Sequence, residues 1–218
     1  MNADMAEFIR ANTVVAQAPL VPEINLQLAT EITPLWHLTE ERLKGGDLPP
    51  PFWAFAWPGG QGLARYVLDH PECVKGKRVM DFAAGCGIAA IAAAKAGASL
   101  ALADDIDLLA QTSILMNAAL NNLDVKIERI LDMEKPFTGT DIILLGDVCY
   151  QQAMSIGIMR WLGLCVAKGV QAIIADPGRA YAPIDGMKEL ARYEVSTSRD
   201  LEDRDSRTVT VGEWIGLS

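Results

Sequence analysis

The sequence predicts an α/β fold: a parallel sheet covered by helices on both faces and extended at one side by an antiparallel hairpin. Three observations predict it. Short apolar runs alternate with helical stretches from Lys77 onward, a glycine turn follows the first of those runs, and two β-rich runs around a charged turn end the chain.

Residues 1–50 read as an irregular N-terminal arm or lid. A short helical pattern around Met5 to Ala11 gives way to Pro19, Pro22 and Pro34 and then to the charged stretch Glu40 to Lys44. Gly45-Gly46 and Pro49-Pro50-Pro51 end it in a stiff turn, because proline fixes φ and glycine frees it. Residues 51–218 form the main domain. There Arg78 to Phe82, Ser99 to Ala103, Val125 to Ile130, Asp141 to Gly146 and Val170 to Ala175 read as strands, and Ile88 to Ala96, Leu108 to Asn121 and Ala153 to Ala167 as helices. Strand, helix, strand at this spacing makes parallel neighbours. Tyr193 to Arg199 and Thr208 to Leu217, on either side of the turn Asp200 to Arg207, make the hairpin that turns the sheet into a mixed one.

The chain has 218 residues, half of them apolar, with 28 acidic against 19 basic side chains and a net charge of −9. That apolar fraction buries a substantial core without disulfides or structural metal. The acidic balance works against binding nucleic acid, since neutralising phosphates needs clustered Lys and Arg. Phe82 to Ala103 carries only one charge, Lys95, but Gly85, Gly87 and Gly97 cut it into pieces shorter than a membrane span, and Asp81, Asp104 and Asp105 flank it. No basic-then-apolar leader is evident, so the expected location is the cytoplasm, with no membrane partner. Cys73, Cys86, Cys149 and Cys165 form no CxxC pair and the histidines are His37 and His70, so no metal site is expected and the cysteines read as reduced packing groups. Trp161 and Trp214 read as core, whereas Trp36, Trp53 and Trp57 either line a channel or pack beside prolines.

Val79-Met80-Asp81-Phe82-Ala83-Ala84-Gly85-Cys86-Gly87-Ile88 runs from a strand straight into a helix. Gly85 and Gly87 permit a tight turn and let a ligand touch the backbone over the strand ends. Gly85-x-Gly87-x-x-Ala90 also fits the loose dinucleotide fingerprint, which keeps an NAD-dependent oxidoreductase open as a reading. Asp81 speaks against it: a carboxylate there repels a pyrophosphate and attracts an ammonium or sulfonium group. Asp105 follows Gly85 by 20 residues, where an acid accepts hydrogen bonds from ribose hydroxyls, and Asp132 follows the third strand, placed to meet an adenine amino group. The strand ending at Gly146 presents Asp147 and Tyr150 at the same edge; Asp147 either orients an incoming amine or caps a helix. Arg179 meets either an acidic patch on a substrate or Asp176.

These motifs, with Pro51-Phe52-Trp53-Ala54, Ala56-Trp57-Pro58-Gly59-Gly60-Gln61, Asp104-Asp105-Ile106-Asp107, Gly146-Asp147-Val148-Cys149-Tyr150 and Asp176-Pro177-Gly178-Arg179, resemble the class I S-adenosylmethionine-dependent methyltransferases from about Phe52 to the C-terminus. Within them, the chain is similar to bacterial relatives of the electron transfer flavoprotein β-subunit lysine methyltransferases, sequences often labelled nicotinamide N-methyltransferase-like. The ribosomal protein L11 methyltransferases are close cousins. The resemblance implies a seven-stranded Rossmann-like sheet of order 3-2-1-4-5-7-6 with strand 7 antiparallel. It also implies S-adenosylmethionine as cofactor and S-adenosylhomocysteine as product. Asp81 and Gly85 would hold the methionine part, Asp105 the ribose and Asp132 the adenine, with Trp57 and Gln61 closing the cofactor from the N-terminal side and Ala83, Gly87, Ile106 and Asp147 among its further contacts. Asp104 stands where Asn is commoner, and spacing selects Asp105 for the ribose. Asp147 and Tyr150 would be the catalytic pair. The implied acceptor is a lysine of the electron transfer flavoprotein β-subunit, approached by a monomer; a small nicotinamide-like amine and ribosomal protein L11 are the alternatives.

Overall fold

The central strands are dominated by side chains apolar on both faces, which forces helices onto both sides. The computed structural model describes residues 3–30, 35, 50–197 and 202–216. Its elements are α1 (Ala3–Asn12), β1 (Val14–Ala18), β2 (Val21–Leu28), α2 (Pro58–Asp69), β3 (Arg78–Phe82), α3 (Ile88–Lys95), β4 (Leu100–Asp104), α4 (Leu108–Leu120), β5 (Lys126–Ile127), β6 (Ile142–Gly146), α5 (Gln152–Val166), β7 (Gln171–Asp176), β8 (Met187–Ser196) and β9 (Ser206–Trp214). β3 to β9 form one seven-stranded sheet of order β5-β4-β3-β6-β7-β9-β8. β9 runs antiparallel to both β7 and β8, and the other pairs are parallel. Counted from β3, this is the order 3-2-1-4-5-7-6 that the resemblance implied.

β6 shows the two-sided burial most plainly. Ile142 and Leu144 face α2 and α3, while Ile143 and Leu145 face α5 with Ile158, Trp161 and Leu162, and all four strand residues are shut off from solvent. Trp161 lies against Phe82 with ring centroids 4.8 Å apart, and Trp214 is buried in the same layer. The helix α3 is alanine-rich because α2 lies close beside it; Ile88 to Ala93 are all buried. Small residues also bring α2 down onto the strand ends. A Cβ on Gly59 would stand 2.6 Å from the Ala175 carbonyl, and one on Gly146 would stand 2.8 Å from the Gly60 nitrogen.

The N-terminal segment departs from the irregular reading. Residues 14–28 form an antiparallel hairpin, β1 with β2, whose Ala18, Val21, Ile24 and Leu26 join the main core. The outer side of β2 is satisfied by a helix rather than a strand. Asn117 and Asn121, one turn apart on α4, accept the Gln27 and Asn25 N–H groups at 2.7 and 2.9 Å, and Asn121 also donates to the Asn25 carbonyl at 2.7 Å. Burial of these polar backbone groups is tolerable only because each finds such a partner. Trp53 is fully buried near Phe8, which settles it as packing. Trp36, the charged stretch 40–44 and Gly45-Gly46 lie outside the described residues, as do residues 198–201, the end of the expected strand and the start of the expected turn.

β5 is shorter than the expected Val125 to Ile130, because the chain peels away after Ile127: the Ile130 N–H turns to the Asp104 carboxylate at 2.8 Å. β8 is longer, and as the outermost strand it exposes Lys188, Glu189, Arg192 and Glu194. Among the described residues no helix is long and apolar enough to cross a membrane. The contact between α2 and the strand ends gives a direct test. Gly146→Ala puts a methyl group against backbone atoms that have no room to yield, so it is expected to cost about 1–3 kcal/mol, read as a lower midpoint in urea unfolding.

Candidate active site

The chain leaves β3 through backbone that side chains rarely adopt. Ala83, Gly85 and Gly87 have φ of 54°, 54° and 77°, and the last is the residue from which α3 starts. At Gly87 a Cβ would also press on Ile114 at 3.0 Å, so conformation and packing both require glycine there. The loop is pinned from two directions: the Ala84 N–H donates to the Asp104 carbonyl at 2.9 Å, and Asn117 Nδ2 to the Cys86 carbonyl at 2.9 Å. The result is a shallow backbone cradle over the ends of β3 and β4.

Two carboxylates line it. Asp81, almost wholly buried, accepts the Ala90 N–H at 2.9 Å; burial pushes its carboxyl up to about 8, against the pull of that hydrogen bond, with the negative Asp105 adding to the rise. Asp105 accepts the Gly85 N–H through Oδ2 and the Asp107 N–H through Oδ1, each at 2.9 Å, yet burial still raises it. Asp104 points elsewhere. It holds the Ile130 N–H and lies 3.3 Å from Arg129 Nε, so the carboxylate over the glycine loop is that of Asp105. Ile106 beside it is strongly exposed, at 78%. Asp132 is not drawn into this group: it pairs with Lys135 at 2.8 Å and accepts the Glu134 N–H at 2.9 Å in an exposed turn.

Above the loop stands a row of rings. Phe52 makes an edge contact with Trp57 and a tilted one with Tyr150, both with centroids 5.8 Å apart. Trp57 Nε1 donates to the Phe52 carbonyl at 2.9 Å, and that same carbonyl is the nearest neighbour a Cβ on Gly85 would meet. Gln61 lies deeper than expected. It donates to the Ala56 carbonyl at 2.7 Å and accepts the Leu20 N–H at 3.3 Å, fastening the N-terminal hairpin to α2.

Asp147 lies beyond the row, at the end of β6, with φ of 58°. It caps a helix, but a remote one: Oδ2 accepts the Gly59 and Gly60 N–H groups at 2.5 and 3.2 Å, at the N-terminus of α2. Oδ1 accepts from Arg179 at 2.8 Å. Burial pushes the Asp147 carboxyl up to about 6, with Arg179 opposing and Asp176 and Glu202 adding to the rise. Arg179 touches Asp176 only through its backbone N–H, at 2.6 Å; its guanidinium joins Asp147 to Glu202.

Asn117 and Glu202 are residues that sequence reasoning missed, and Gly59, although part of a motif, carried no role there. Pro58 followed by two glycines after an aromatic pair is a helix start with Pro at the first position, and that signal was available. Glu202 offers none, because it reaches Arg179 from a turn 23 residues away.

A sheet of this order, with a glycine cradle and an acid over it at the end of the neighbouring strand, defines a class I methyltransferase. Residues 66–146 match the family model described as ribosomal protein L11 methyltransferase. The zebrafish electron transfer flavoprotein β-subunit lysine methyltransferase is 42% identical over 181 residues, 81% of this chain and 69% of its own. The Xenopus laevis protein of the same name is 39% identical over 205 residues, covering 90% and 81%. Among solved structures, the magnesium protoporphyrin IX methyltransferase of Synechocystis, with bound S-adenosylmethionine, superposes with a TM-score of 0.51 at 19% identity over 81% of this chain and 90% of that one. The chain belongs to the electron transfer flavoprotein β-subunit lysine methyltransferase family. The dinucleotide reading is not favoured.

Asp81 gives a test with a definite sign. Its carboxyl holds its proton to about pH 8 when folded but only to about 3.9 when unfolded. The unfolded chain therefore binds fewer protons between those values, and the fold loses stability as pH rises through them. Asp81→Asn removes this loss. Without cofactor, the variant is expected to gain on the wild type between pH 5 and pH 8 in urea unfolding, and a constant difference would contradict the assignment.

Proposed function

We propose that the chain transfers methyl groups from S-adenosylmethionine to a lysine side chain of the electron transfer flavoprotein β-subunit. Family membership carries the acceptor, and the acidic cradle supports the cofactor. The donor set suits a sulfonium: burial raises both the buried Asp81 and the half-buried Asp105, the negative Asp105 adds to the rise at Asp81, and a cationic neighbour would favour the charged form of each. In this reading Asp81, Ala83, Gly85 and Gly87 hold the methionine part and Asp105 the ribose. Exposed Ile106 lies beside Asp105, where the adenine would follow the ribose, and Trp57 closes the near side, with Gln61 behind it holding Ala56 and Leu20. When bound, the cofactor supplies a methyl group already activated on sulfur.

The task left to the chain is to align an amine and strip its proton. A lysine has a reference pKa of about 10.4 and must become neutral before it attacks. Asp147 is placed for this. Three protein donors occupy its carboxylate, which leaves one of about four lone-pair directions for an ammonium proton. A carboxyl held near 6 is also a better base at neutral pH than an ordinary one. Tyr150 and Phe52 wall the approach and keep water from the amine. Within this division, residues 51–218 are the catalytic domain and 1–50 an arm fixed on it by the Asn25 and Gln27 contacts to α4. The protein acts as a cytoplasmic monomer on a protein rather than on nucleic acid or membrane.

Incubation with S-adenosylmethionine and recombinant electron transfer flavoprotein should raise the intact mass of the β-subunit in steps of one methylene, whereas ribosomal protein L11 and nicotinamide should stay unmodified. An unchanged β-subunit in the presence of measured cofactor binding rejects the reading. Asp147→Asn is expected to lower kcat by about 10²-fold or more with the cofactor Kd, by calorimetry, little altered. Asp81→Asn is expected to do the reverse, weakening cofactor binding first.

A further inference from the structure

Glu202 has no place in the cradle, yet its side chain is only 1% exposed. Arg179 Nη2 donates to Glu202 Oε1 at 2.5 Å and to Asp147 Oδ1 at 2.8 Å, while Arg179 Nη1 reaches Glu202 Oε2 at 3.1 Å. Arg207 closes the far side, its Nε on Glu202 Oε2 and its Nη2 on the Glu202 carbonyl, both at 3.0 Å. The turn before β9 is thus wired to the end of β6 through one guanidinium.

We propose that Glu202 is a positioning residue for methyl transfer: through Arg179 it fixes both the place and the charge state of the Asp147 carboxylate that receives the acceptor amine. The inference rests on the lysine methyltransferase reading given above. Buried ion pairs contribute little net stability, because desolvation consumes most of the attraction. A second buried carboxylate on Arg179 is better explained by geometry: held at both ends, the planar fork cannot swing away from Asp147.

Charge points the same way. The groups facing Asp147 are the α2 N–H groups, Arg179, Asp176 at the end of β7, Cys149 and Glu202. Glu202 draws part of the guanidinium charge to itself and adds negative potential of its own, which raises Asp147. Without it, the whole of Arg179 would rest on Asp147 and strip it of basicity.

The test uses the full chain with Glu202→Gln, an uncharged residue of the same shape. The Asp147 carboxyl, assigned in a carbon-13 titration by the signal missing from Asp147→Asn, is expected near 6 in the wild type and lower in E202Q. The acid limb of the kcat profile should move down with it. We expect kcat at neutral pH to fall about tenfold, while KM for the flavoprotein and Kd for S-adenosylmethionine hold. Glu202→Asp keeps the charge and shortens the reach, so it should keep the midpoint and lower kcat. An Asp147 midpoint unmoved in E202Q, a collapse of the fold in either variant, or a loss of cofactor affinity overturns the proposal. Failure of the wild type to methylate the flavoprotein would instead reject the functional reading, and the titration would still report the coupling by itself.

Discussion

The active-site end of this molecule depends on a single junction, the Asp147 carboxylate seated on the first turn of α2. A helix N-terminus carries unpaired N–H groups and partial positive charge, and a buried carboxylate needs donors, so each solves the other's problem. Contact at hydrogen-bond distance requires the helix to touch the strand ends, and only glycine allows that: Gly59 on the helix and Gly146 on β6 leave no space for a Cβ. Asp147 must in turn adopt a left-handed backbone, a conformation that costs free energy and persists because the surroundings enforce it.

This junction also connects regions distant in sequence. α2 carries the N-terminal hairpin through Gln61, and Trp57, its cap residue, belongs to the aromatic row above the glycine loop. On the other side, Arg179 passes the junction on to β7 and to the turn before β9. The aromatic row above the glycine loop and the Asp147 carboxylate are therefore held by one mechanical unit.

The sheet was legible in the sequence because its strands are buried on both faces and leave continuous apolar runs, as in Ile142 to Leu145. The glycine loop with Asp81 and Asp105 was legible too, since left-handed backbone and buried acids restrict residue choice sharply. α2 offered only its start, Pro58 at the first helical position, because the glycines that follow weaken helix propensity and here serve packing. The β1–β2 hairpin was hidden by its prolines and by an edge satisfied through Asn117 and Asn121 rather than a strand ladder. Asp147 was found, but its helix-capping contacts join residues 87 and 88 positions apart, a distance that no local pattern spans.

The sheet ends at β8, and the composition of that strand has a consequence for the molecule's life in a crowded solution. A long outer strand with vacant backbone groups is a template on which another chain can crystallise into ordered aggregate. Lys188, Glu189, Arg192 and Glu194 stand along this one, and an approaching strand would have to strip water from those charges before it formed its first hydrogen bond. A row of charges on the outermost strand thus works against edge-to-edge association of one molecule with the next.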